Sequence, residues 1–397
     1  MKSTRLSAVA SVAAGLVMAI LAAQSAQAQT YTVLYSFTGG TDGKDPAARV
    51  IQDAEGNLYG TTFGGGTSGK GTVFKLSITG KETVLHSFTG GTDGGSPDAG
   101  VIRDGNGNLY GTTVEGGASN AGTVFKLSIT GKETVLHSFT GGADGAYPTG
   151  GVIRDGSGNI YGTAFLGGAS GNGTVFKLST TGVETVLYSF TGGADGAQPV
   201  AGVIRDAKGN LYGTTQAGGD LTCGAPYGCG TVFKLDTTRK ETVVYSFTGA
   251  DGDRPTAGLF MDGSYNLYGT TYVGGDLNCL SGGCGTVFKL SSTGKETVLH
   301  SFADGTDGGL PYAGLIRDGN GNLYGTTAGG GNPWCGCGTV FKLSKTGQET
   351  VLYTFTGGAD GGSPVAGVIR DAQGNLYGTT SRGGVVYNGG TVFKLTP

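Results

Sequence analysis

The chain has 397 residues, 83 of them glycine, and carries 26 basic against 29 acidic side chains for a net charge of −3. That balance excludes the basic footprint of a nucleic-acid or anionic-membrane binder. The glycines follow no Gly-X-Y period, which excludes collagen, and the Val, Leu, Ile, Tyr and Phe spread between them exclude a disordered low-complexity chain.

Residues 1–28 read as a signal peptide. Lys2 and Arg5 form a positive start, residues 8–23 an apolar run, and Ala26-Gln27-Ala28 a small-residue cleavage site. The mature chain then begins at Gln29, and export to the periplasm or the cell exterior is expected. No cysteine follows the cleavage site, which argues against a lipoprotein. No later stretch is long and apolar enough to span a bilayer. Without Lys2 and Arg5 the balance becomes 24 basic to 29 acidic groups.

Residues 29–397 form one repeating unit. Gly-Thr-Val-Phe-Lys-Leu recurs at Gly71, Gly122, Gly173, Gly230, Gly285, Gly338 and Gly390, a period of 51 to 57 residues. Units of this size cannot each bury a core, so they must stack. In the second copy four extended segments follow in order: 98–104, 108–113, 122–127 and 133–139. All are rich in β-branched and aromatic residues and bounded by Gly, Asp, Asn or Pro. No helical period appears. The chain enters on 31–37, which matches the last segment of a copy, and leaves on 390–395, which matches the third. Pairing the two completes the last unit and removes an open sheet edge. The expected fold is all-β: a single seven-bladed β-propeller of four-stranded antiparallel blades, closed by the N-terminal strand. A monomer is expected.

Tyr59, Tyr110, Tyr161, Tyr212, Tyr268, Tyr324 and Tyr377 share one strand position, and Phe74 and its six equivalents another. Use in every unit points to packing between sheets rather than to ligand stacking. The pattern Gly-Asn-Leu-Tyr-Gly-Thr-Thr, a Gly-Gly loop, then Gly-Thr-Val-Phe-Lys-Leu resembles the GloVer tandem repeat of exported bacterial proteins, the "choice-of-anchor" family. The resemblance covers residues 31–397 and implies export but no established activity, and this chain departs from it in ending at Pro397 without a sorting tail. Asp104–Tyr110 is more weakly similar to NHL-type and lactonase-type propellers.

Turns one and three of each unit are constant in length and share one face of the propeller. Turn two shares the other face with the inter-blade links, and it spans 9, 9, 9, 15, 14, 11 and 10 residues in successive units. Variable loops on a fixed scaffold are where recognition is expected. All six cysteines lie in the longest three, and their spacing predicts three local disulfides: Cys223 with Cys229, Cys279 with Cys284, and Cys335 with Cys337. The candidate ligand-binding residues of this face are Trp334, Tyr227, Asp220, Asp276, Asn278, Asn332 and Arg382. A glycan or other cell-surface polymer is the expected partner.

The links repeat an Asp (Asp42, Asp93, Asp144, Asp195, Asp251, Asp307, Asp360) that either binds calcium or caps its own turn, the turn needing fewer oxygens. His86, His137 and His300 stand where other copies have Tyr and read as packing aromatics, which removes the commonest general base from any triad. Arg103, Arg154, Arg205, Arg317 and Arg370 precede an Asp and are expected to pair with Asp across blades. No cofactor or metal motif is found. Three functions follow: a non-catalytic exported binding protein, a polysaccharide lyase or hydrolase using Asp220 and Asp276 with Tyr227 and Arg382, or a structural matrix protein.

Overall fold

The computed structural model describes residues 29–279, 282–386 and 389–396. The expected signal peptide, 1–28, lies outside them. The described chain forms seven four-stranded antiparallel sheets and no helix. Blade two is representative, with strands Ile102–Arg103, Leu109–Thr113, Thr123–Leu127 and Glu133–Ser138. Its first hairpin is tight because Asp104 Oδ1 accepts the N–H groups of Asn106 and Asn108 at 3.0 and 2.9 Å, while Gly107 takes a left-handed φ of 85°.

Closure follows the expected register. Ile369–Arg370, Leu376–Thr380 and Thr391–Thr396 supply three strands of blade seven, and Thr30–Ser36 supplies the fourth. The entering strand pairs antiparallel with the last one, from Thr30 opposite Thr396 to Ser36 opposite Thr391. Tyr31 occupies the position held by a glutamate in the other outer strands and stacks on Tyr353 of blade six, ring centroids 3.9 Å apart.

The core lies in the seams between blades, because a single blade has two exposed faces. At every seam the outer-strand Phe of one blade meets the third-strand Phe of the next edge to face, from Phe37–Phe74 through Phe355–Phe393, with centroids 5.1–5.5 Å apart. A second-strand glycine makes room for that ring: a Cβ on Gly111 would lie 2.8 Å from Phe125 Cζ.

Nearer the axis, the threonine that follows the strand-two glycine donates its hydroxyl to a carbonyl of the following blade. The seven bonds, Thr61 to Ala99 through Thr379 to Ala48, span 2.9–3.1 Å. They also explain a departure from expectation. The innermost strand was expected over 98–104, yet only Ile102–Arg103 pairs in the sheet. The preceding residues turn their carbonyls sideways to the neighbouring blade and line the axis instead.

Because Phe37 follows directly on the closing strand and is fully buried, Phe37→Ala is expected to cost about 3–5 kcal/mol in urea unfolding, as for any core Phe. A ring closed in some other way would leave the unfolding midpoint unchanged.

Candidate functional site

The turn-two loops of blades four, five and six rise from the face that also carries the links. All three expected disulfides form, Cys223–Cys229, Cys279–Cys284 and Cys335–Cys337. Cys229, Cys284 and Cys337 are buried at 1%, 0% and 9% exposure among blade side chains, so each bridge ties a loop to the core. A shared turn shapes the loop crests. Asp220 Oδ1, Asp276 Oδ1 and Asn332 Oδ1 accept the N–H of Thr222, Asn278 and Trp334 at 2.9, 3.0 and 2.9 Å.

The candidate polar residues are therefore engaged within their own loops. Asn278 also donates its amide to Asp276 at 3.0 Å. The Asp220 carboxyl is held below the usual range by the Thr222 hydroxyl and N–H. Arg382 exchanges backbone hydrogen bonds with Gly362 in blade seven, and its charge reaches Asp45. What remains unengaged is apolar. Trp334 is 94% exposed and Tyr227 74%, with Leu221, Leu277 and Val385 also exposed on neighbouring loops. A tryptophan covering its own disulfide would be buried against it, so Trp334 is an open platform.

At the links, the acid of each Asp caps its turn. Asp42, for example, accepts the Thr38 N–H at 2.8 Å, the Thr38 hydroxyl at 2.6 Å and the Tyr35 hydroxyl at 3.0 Å. His86, His137 and His300 pack edge-on to Phe88, Phe139 and Phe302, with Nε2 3.4–3.6 Å from the link Asp. The shorter imidazole replaces tyrosine in packing but falls short of its hydrogen bond.

Sequence reasoning passed over the outer-strand glutamates. Glu82, Glu133, Glu184, Glu241, Glu296 and Glu349 each bury an Oε1 with no hydrogen-bond partner among the described residues. At the seam between blades one and two, Glu133 and Asp93 line a groove of about 360 Å³. Burial, then the charge of the preceding link Asp, pushes all six up to about 7. Their recurrence in six of seven units was the available signal.

The expected Arg–Asp pairing across blades is corrected. Of these five arginines only Arg317 forms an ion pair among the described residues, with Asp262 of the preceding blade at 3.7 Å. Arg103, Arg154, Arg205, Arg317 and Arg370 instead lie over Tyr59, Tyr110, Tyr161, Tyr268 and Tyr324 of the preceding blade, 5.5–5.9 Å from the ring centroid. Each tyrosine hydroxyl already donates to the turn-one Asp, as Tyr59 does to Asp53 at 2.9 Å. The phenol thus stands between guanidinium and carboxylate.

A second feature missed from the sequence is the axial channel, about 530 Å³, lined by seven copies of the tetrapeptide Pro-x-Ala-Gly and its variants. The x position changes freely, as Ala47, Asp98, Thr149, Val200, Thr256, Tyr312 and Val365. The last position is Gly in six units and Arg49 in the first. Burial raises Asp98 to about 6 and lowers Arg49; burial and then Asp98 push Tyr312 up to about 12. The visible signal was a break in repetition at two positions of one tetrapeptide.

Among the described residues no helix is long and apolar enough to cross a membrane. The model of the Gloeobacter/Verrucomicrobia repeat matches residues 14–227 and 222–397. No curated protein matches the chain in sequence. Among solved structures, the extracellular domain of BT4673 from B. thetaiotaomicron is similar at 12% identity and a TM-score of 0.51, over 86% of this chain and 37% of that one. A 6-phosphogluconolactonase candidate from Bacteroides uniformis is similar at 16% identity and a TM-score of 0.49, over 77% and 83%. The gluconolactonase XC5397 of Xanthomonas campestris is similar at 14% identity and a TM-score of 0.42, over 73% and 89%. At these identities the likeness is one of fold.

Two expectations follow. Non-reducing peptide mapping is expected to recover the three intra-loop disulfides with no cross-loop species. A glutamate that folds with its pKa raised from 4.5 to about 7 favours the protonated form. Its contribution is complete below 4.5 and is lost as pH climbs through 7. Burial lowers the three histidines, whose contribution runs the opposite way and fades as pH falls below 6.5. Glu241 gives the clean test, since its seam holds Tyr188 and Asp195 rather than histidine. The melting temperature of Glu241→Gln should match the parent at pH 4 and exceed it progressively from pH 5 to 8.

Proposed function

We propose that this chain, which belongs to the Gloeobacter/Verrucomicrobia repeat family, is an exported binding propeller that recognises a glycan or other extracellular polymer through its loop-rich face. Residues 1–28 serve as the signal peptide in this reading, and three disulfides suit an oxidising compartment. The observation that carries the reading is Trp334. An indole 94% exposed beside a disulfide anchored in the core is an aromatic platform on a backbone fixed before anything binds. Rigid presentation lowers the ordering cost of association, and a flat aromatic face suits the apolar face of a sugar ring. Tyr227, Leu221 and Leu277 extend the platform across blades four and five. Asp220, Asp276, Asn278, Asn332 and Arg382 supply polar groups at its margin.

The same geometry argues against the lyase or hydrolase reading. A general acid needs a proton to give near neutral pH, and hydrogen bonds hold Asp220 ionised. A glycan array probed with the purified protein is expected to show specific binding that Trp334→Ala weakens by about ten-fold or more. A blank array would overturn the glycan reading. Turnover of a bound glycan that Asp220→Asn and Asp276→Asn abolish would make the protein an enzyme.

A further inference from the structure

We infer that the axial channel is a second binding site, one that takes a small polyhydroxylated carboxylate, a sugar acid, with Arg49 on its carboxylate and Asp98 and Tyr312 on its hydroxyls. This goes beyond the loop-face reading and rests on different residues.

The first argument is symmetry. Every residue the ring needs is repeated: the seam phenylalanines, the threonine hydroxyls, the turn-one Asp–Tyr pairs. Positions that carry scaffold energy therefore show one residue type in all or nearly all units. The channel reverses that rule. Six units place glycine where the first has Arg49, and in four of them the space there is narrow. A Cβ built on Gly100, Gly202, Gly314 or Gly367 would approach a backbone carbonyl oxygen of the adjoining blade at 2.4, 2.0, 2.7 or 2.7 Å. The ring closes without a side chain at this level, so an arginine is a departure that packing does not ask for.

The second argument is satisfaction. Neither the Arg49 guanidinium nor the Asp98 carboxyl has a hydrogen bond or ion pair among the described residues, and both line the channel, Arg49 exposed to it and Asp98 half-buried. Charged groups that line a channel and have no protein partner leave their hydrogen-bonding capacity to a ligand. The two groups do not pair with each other among the described residues. Asp98 and Tyr312 occupy the x position of the tetrapeptide in units two and six, and Arg49 occupies its last position in unit one.

The third argument is chemistry. A guanidinium fork binds a carboxylate in two parallel hydrogen bonds. A carboxylate and a phenol on opposite sides of the channel accept from, and donate to, hydroxyl groups. A carboxylate held by the guanidinium and hydroxyls held by the acid and the phenol describe a small sugar acid. A channel of about 530 Å³ lies in the size range of small-molecule sites.

Isothermal titration of the purified protein with D-glucuronate, and with D-glucose as the neutral comparison, tests this. Saturable binding of glucuronate and none of glucose is expected. Arg49→Gly restores the residue of the other six units and should weaken binding by about ten- to a hundred-fold. Arg49→Gln, which keeps side-chain bulk, gives the same readout should the glycine variant fail to fold. Asp98→Val, the residue at Val200 and Val365, should weaken it as well. Ile129→Ser, an exposed change on the opposite face, should leave it unaltered. Absence of glucuronate binding, equal affinity for glucose, or binding that survives both Arg49→Gly and Asp98→Val would each overturn the inference.

Discussion

The edge-to-face contact between an outer-strand phenylalanine and the third-strand phenylalanine of the next blade is the interaction the molecule depends on. A lone four-stranded sheet has a hydrophobic surface on both sides and nothing to place against it. The seam supplies the missing surface, and it does so only if the ring is complete. At the last seam the partner of Phe74 is Phe37, from the start of the chain. The second-strand glycine, the threonine bond towards the axis and the Asp–Tyr pair at turn one all serve to bring that contact to the same spacing seven times over.

Such regularity made the architecture readable. The hexamer at Gly71 and its six successors fixed strand three, and the mismatch between residues 31–37 and 390–395 fixed the closure. Legibility ended where an interaction crosses between units without a sequence signature. Arg103 looked like a partner for an aspartate because arginine and aspartate attract. Only the fold reveals that a tyrosine ring of the preceding blade lies in the way. The inner strand likewise looked long, since alternation cannot tell a carbonyl aimed at its own sheet from one aimed at a neighbour.

The candidate sites were legible to different degrees for a related reason. Loop length and cysteine spacing announced the stapled face. The role of Asp220, Asp276 and Asn332 as turn caps required coordinates, because a free carboxylate and one bound to its own backbone look alike in sequence. The channel residues were visible but unweighted. Arg49 and Asp98 sit in a segment whose neighbours hardly vary, and reading the repeat for what is shared conceals the positions where it departs. In a repetitive protein the scaffold is the consensus and specific chemistry is the residue that breaks it.

Pairing of Thr30 with Thr396 has a directional consequence. The two residues lie where turn three would be in any other blade, on the face opposite the disulfide loops and the links. Polypeptide joined before Thr30 and polypeptide joined after Thr396 would leave the disc side by side from a single point on its underside. A tether at either end would thus hold the molecule like a dish on a stalk, Trp334 and the stapled loops turned outward. Because both attachments meet at one blade, pulling on them would load the strand pairing that closes the ring before any other.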